Sequence, residues 1–151
     1  MIPAKENLKM LVVDLEKASD VLLYSVEKCR KISISEGLSY EELESYEALT
    51  SRFARLSDII IQKVFRTIDS LDLDDAGTVR DRINRAEKKG LIKSADDFIA
   101  VRILRNEIAH EYKTETIYSI FLKVLELSEV LLESVDSICV YVDRHRVLSE
   151  N

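Results

Sequence analysis

The stretch Lys5–Ile32, KENLKMLVVDLEKASDVLLYSVEKCRKI, decides the fold. Within it Leu8, Leu11, Leu15, Ala18, Leu22, Val26 and Cys29 recur at spacings of three and four. That period places one apolar stripe along an α-helix, whereas a strand would need alternation with period two. No Gly or Pro interrupts the stripe, so the helix runs for about seven turns. A helix of this length with one apolar face needs other helices or a sheet to cover it.

The chain to either side supplies helices. A break is expected from Ser33 to Leu38, with Gly37 inside it, and Ser39 followed by Glu42 forms a capping-box signature that restarts the chain. The second helix then runs to about Asp69 on an inward stripe of Tyr46, Leu49, Phe53, Leu56, Ile60, Val64 and Ile68. Two long helices on a short loop pair antiparallel. Leu71 to Gly77 reads as an acidic loop, and Thr78 with Asp81 opens a short third helix that stops at Gly90. Ser94 with Asp97 caps a fourth helix from Ala95 to about Glu111. After Thr114 a fifth continues to about Arg146, with Ile117, Ile120, Phe121, Val124, Leu127, Leu131, Val135, Ile138 and Val142 as its seam. The expected fold is all-α: an antiparallel four-helix bundle with an additional short helix, five helices in one domain over residues 1–151.

Composition agrees with this and narrows the function. The 151 residues include only three Gly and one Pro, which leaves little material for turns. No apolar run approaches the ~18 residues of a membrane span, and the N-terminus lacks the basic segment and apolar core of a signal peptide, so the expectation is a cytoplasmic protein without a membrane partner. Cys29 and Cys139 fall on apolar stripes, as buried reduced thiols do. There is no H-E-x-x-H, no paired Cys, no phosphate-binding glycine loop and no nucleophile elbow, which argues against metal-dependent chemistry and implies no cofactor. The net charge of -6 opposes a surface generally attractive to nucleic acid, so any RNA contact must use a local basic patch.

Basic residues do gather locally. The third helix carries Arg80, Arg82, Arg85, Lys88 and Lys89, read from the residues alone as a solvated face with charge matching at a helix C-terminus. His145, between Arg144 and Arg146, reads as the same dipole matching at the tail of the fifth helix. The fourth helix breaks the pattern. On a wheel at about 100° per residue its apolar arc centres near Phe98 and Ala109, and Arg105 falls within it beside Val101, Ile108, Ala109 and Tyr112. An unpaired buried guanidinium costs several kcal/mol. Arg105 must therefore pair with an inward carboxylate, such as one from the second helix, reach solvent, or face a cleft between subunits. Arg102, Asn106 and His110 form a second stripe at spacing four, placing another cation, an amide and an imidazole beside it. This set could hold a phosphate, although a His at a helix end also serves as a cap.

The segment Arg105-Asn106-Glu107-Ile108-Ala109-His110-Glu111-Tyr112 resembles the R-x4-H-x-Y motif of the HEPN superfamily, and specifically the HepT-like toxins encoded beside a minimal nucleotidyltransferase antitoxin. Arg, His and Tyr match, as does the Asn that commonly follows the Arg. Phe53-Ala54-Arg55-Leu56-Ser57-Asp58 through Lys63-Val64-Phe65-Arg66 also looks like the family's second helix, so the resemblance extends from Leu8 to about Val142. It implies a metal-independent endoribonuclease toxin that works as a homodimer, with the two motif helices facing across a shared cleft. His110 would move a proton to or from the ribose oxygens, Arg105 would stabilise charge on the phosphorus, and Asn106 and Arg102 would orient and bind RNA. It further implies that Tyr112 is the residue the partner nucleotidyltransferase modifies with adenosine monophosphate. Read from the residues alone, Tyr112 closes the core of the fourth helix with its hydroxyl in water. Two alternatives stand beside the toxin: a non-catalytic substrate-binding or regulatory subunit of a nucleotidyltransferase, and a helical dimer with no site, in which Arg105 forms an intrachain ion pair away from any cleft.

Overall fold

The computed structural model describes residues 3–35, 37–110 and 114–150, and the side chains of the last stretch over residues 117–145. Among them every regular element is helical. Helix α1 spans Ala4–Arg30, and its buried positions include all seven residues of the opening stripe. Helix α2 spans Tyr40–Asp58 and begins with the expected capping box, in which Ser39 accepts from the Glu42 N–H while Glu42 accepts from the Ser39 N–H.

The second expected helix is not uniform. After Asp58 the backbone widens into a π-helical segment, Ile59–Val64, before narrowing again in α3, Phe65–Leu71. The sequence carries the reason. Ile59, Ile60 and Ile61 are consecutive and all buried, as are Val64 and Phe65. Three consecutive residues sweep about 200° of an α-helix, wider than one packed face. An extra residue in the turn lets the run face inward together, and the Phe65 N–H reaches back to the Ile60 carbonyl.

Helix α4, Val79–Lys89, begins with the Thr78–Asp81 capping box and ends at Gly90. Gly90 has φ 82°, and the Leu91 N–H returns to the Ala86 carbonyl, closing the helix as a left-handed glycine permits. Helix α5 spans Ala95–Ala109, capped by Ser94, with Glu87 accepting from the Ala95 N–H. Helix α6 spans Thr114–Glu150. Two expected ends move: the fourth helix stops at Ala109 rather than Glu111, and the fifth runs past Arg146. His145 is therefore within a continuing helix, stacked on Tyr141 with ring centroids 3.9 Å apart.

Cross-contacts set the directions. Cys29 meets Ser45 and Tyr46, while Ser25 meets Arg52 farther along α2, so α1 and α2 are antiparallel. Arg30 pairs with Glu129 and Glu16 lies against Cys139, which makes α6 antiparallel to α1. Lys93 pairs with Glu133 and Glu107 with Lys123, so α5 runs against α6 as well. The core between them is fully apolar at Leu15, Leu22, Phe53, Phe98, Phe121 and Ile138. Tyr46 stacks on Phe121 and spends its hydroxyl on the Cys29 and Ile32 carbonyls, so the buried phenol has its partners.

Both cysteines are free thiols, Cys29 buried and Cys139 half-buried. Burial pushes each up to about 11, Cys139 with help from Glu16. They are protonated and inert at neutral pH.

Candidate functional site

Helix α5 buries Ala95, Phe98, Val101 and Leu104, with Ile108 half-buried and Ala109 exposed. The buried positions recur every three residues, so the apolar face drifts round the helix by about 60° per step, and in its last turns it centres on Val101, Leu104 and Ile108. Leu104 was the missing signal: it replaces Ala109 as a core residue. Arg105 consequently lies on the rim of the arc, where its side chain keeps 30% of its exposure.

From that rim Arg105 meets Asp58, the last residue of α2. Nε donates to Oδ1 at 2.7 Å and Nη2 to Oδ2 at 2.9 Å, a two-pronged pair between residues 47 apart in sequence. Hydrogen bonding to Asp58 raises the Arg105 pKa further above its ordinary value, so the guanidinium stays charged at any working pH. The pair resolves the cost of a cation near the core. It consumes only one edge of the fork, because Nη1 has no partner among the described residues.

The pair is set in a cleft of about 580 Å³ between the end of α2, the π segment and α5. Ser57, Asp58, Gln62, Lys63, Arg102, Arg105 and Asn106 line it with Ile61. Three cations face one carboxylate there, so the cleft is locally positive on a chain whose net charge is -6. Arg102 and Asn106 are exposed and flank Arg105 as the wheel required.

The structure thus brings together Arg102, Arg105 and Asn106 of the expected site and adds Asp58 and Lys63. His110 is placed differently. It follows the last helical residue with extended backbone, φ -91° and ψ 145°, and its N–H returns to the Glu107 carbonyl. The expected stripe of Arg102, Asn106 and His110 therefore breaks at its last member, which is exposed and outside the cleft's lining. Tyr112 lies outside the described residues.

The basic third helix, now α4, is largely committed inward. Arg85 and Lys89 pair with Asp69, which is 2% exposed, at 3.0 Å and 2.7 Å, and Lys89 also reaches Asp72. Arg82 donates to Gln62 and to the Ile61 carbonyl of the π segment. Its expected reading as a solvated face with charge matching at the helix C-terminus is corrected for three of its five cations, which hold it to α3 and the π segment, leaving Arg80 and Lys88 on the outer surface. A buried carboxylate in α3 was the unseen cause.

Among the described residues no group of three or more His, Cys, Asp or Glu side chains is placed to hold a metal ion, and no helix is long and apolar enough to cross a membrane. The known protein-family models and the curated proteins yield no match to this chain.

Proposed function

We propose that this chain is a HepT-like endoribonuclease, the toxin of a toxin–antitoxin pair, acting without metal as a homodimer. The observation that carries the reading is the Arg105 guanidinium, fixed by Asp58 at the floor of a positive cleft beside Arg102 and Asn106. A held guanidinium with one edge unspent among the described residues suits a phosphodiester, because charge growing on the phosphoryl oxygens meets donors that need no reorganisation. His110, just past the end of α5, is the residue to accept the 2'-hydroxyl proton or return one to the leaving oxygen. A second copy facing across the motif helices would complete the cleft. Tyr112 is the position at which a minimal nucleotidyltransferase antitoxin would attach adenosine monophosphate and block the site.

One observation favours a second reading. Asp58 already neutralises Arg105 within the chain, as suits a non-catalytic subunit that binds substrate or regulates a nucleotidyltransferase. Expression of the chain alone, and of Arg105→Ala and His110→Ala, separates them. Growth arrest and RNA cleavage should be present in the parent and lost in both variants; cleavage that survives both substitutions ends the ribonuclease reading.

A further inference from the structure

The cleft at Arg105 does not end at Lys63. Gln62 and Lys63 also line a second cleft of about 650 Å³, walled by the N-terminal half of α1 and by the π segment and α3. Arg66, Thr67 and Ser70 continue its lining on the α3 side, and Asn7, Met10 and Asp14 form part of the opposite wall. The two depressions adjoin at Gln62 and Lys63, and this trough of adjoining clefts crosses the π segment. Along its floor Arg102, Lys63 and Arg66 are exposed cations with no carboxylate partner among the described residues. Burial first, and then the neighbouring cation of Arg66, disfavour the charge on Arg82, and its reach to Gln62 keeps it at the trough's edge.

The distribution is selective. The α4 cations that meet Asp69 and Asp72 are neutralised, whereas those along the trough are not. Asp14 and Asp58 also line the clefts, but cations outnumber them, and a polyanion laid among the unpaired cations relieves their mutual repulsion. From Asp58 to Ser70 the floor runs for about 18 Å at the helical rise. At roughly 3.4 Å per phosphate that accommodates about five phosphates of a helical strand, and fewer of an extended one.

We infer that this trough, from Arg102 across Lys63 to Arg66, is the path of a single phosphodiester strand that leads RNA to the Arg105 cleft, with Lys63 and Arg66 as backbone-contact residues. The inference rests on reading the cleft as a ribonuclease site, but it concerns binding and is tested apart from cleavage. A strand held through phosphates is bound with little sequence choice and strong salt dependence. Asn7, Thr67 and Ser70 supply neutral donors and acceptors along the walls.

The test uses the full chain carrying His110→Ala, so that substrate survives, and fluorescence anisotropy of a short labelled oligouridylate. Lys63→Glu with Arg66→Glu should weaken binding by about tenfold or more and flatten the dependence of log affinity on log salt. Arg80→Glu with Lys88→Glu, an equal charge change on the outer face of α4, should leave affinity within about twofold. Circular dichroism confirms that both variants fold; if the Glu pair unfolds, Lys63→Gln with Arg66→Gln replaces it, with a loss of about fivefold expected. Equal losses in both pairs, or none in the trough pair, overturn the path. Tight binding of an acidic peptide without binding of the oligonucleotide overturns it too. Failure of the parent protein to cleave RNA, with the trough pair still selective for binding, would remove the ribonuclease reading and leave the path standing.

Discussion

Two carboxylates from the same stretch of chain, Asp58 and Asp69, meet arginines from later helices and come to opposite ends. Asp69 is closed: it is 2% exposed, Arg85 and Lys89 saturate its two oxygens, and Arg85 spends a further donor on the Ala76 carbonyl. Asp58 is open: one guanidinium faces it, the pair is exposed to 30% and 41%, and the wall beside it is a cleft. An ion pair alone does not distinguish structure from function. The distinction lies in whether donors remain unspent and whether a ligand can reach them.

The comparison breaks most visibly through Asp69. Asp69→Ala strands two half-buried cations, and the expected cost is about 3 kcal/mol, read as a lower denaturation midpoint in guanidinium chloride. Asp58→Ala should cost only about 1 kcal/mol, because its partner lies at the rim and can turn to water. A larger loss for Asp58 than for Asp69 would invert the assignment. On the proposed activity the order reverses. Asp58→Ala lets the Arg105 fork swing and should lower RNA cleavage by about tenfold to a hundredfold, while Asp58→Glu should recover part of it. Equal cleavage by Asp58→Ala and the parent protein would remove Asp58 from the site.

Alkali sharpens the contrast on a smaller scale. Lys89 is opposed by burial, but its hydrogen bonds to Asp69 and Asp72 prevail and raise its pKa above 10.5. A raised folded-state value contributes stability that is complete below the unfolded pKa and is lost as pH climbs through the folded one. The two thiols, raised from 9.0 to about 11, act in the same sense. Thermal stability should therefore decline from about pH 9 upward, first through the thiols and then through Lys89, and Cys29→Ala should remove part of the early decline. Arg105, raised from an already higher value, contributes nothing in that window.

The helices were legible because their information is local. The α1 stripe from Leu8 to Cys29 and the stripe from Tyr46 in α2 to Ile68 in α3 are buried, and Ser39, Thr78 and Ser94 cap the helices that follow them. Departures came where more than one element decides. Arg105 looked like a violation on a wheel that considered α5 alone, yet a carboxylate 47 residues earlier answers it. The wheel itself was rotated, because Leu104 packs inward and Ala109 does not. The Ile59–Ile60–Ile61 run contained the sign of the π segment, but only neighbours on more than one side require all three to be buried.

By itself, then, the sequence determined an all-helical chain and its main stripes and caps, and singled out Arg102 and the segment from Arg105 to Tyr112 as the place to look. These follow from interactions over one to four residues, which periodicity records. Tertiary structure decided which carboxylate Arg105 meets, that His110 leaves the helix, that Arg85 and Lys89 are spent on Asp69, and that Lys63 lines two adjoining clefts. Charge pairing depends on distance in space. Partners 16 to 47 residues apart leave no periodic mark in the chain, so only packing establishes which cations remain for a ligand.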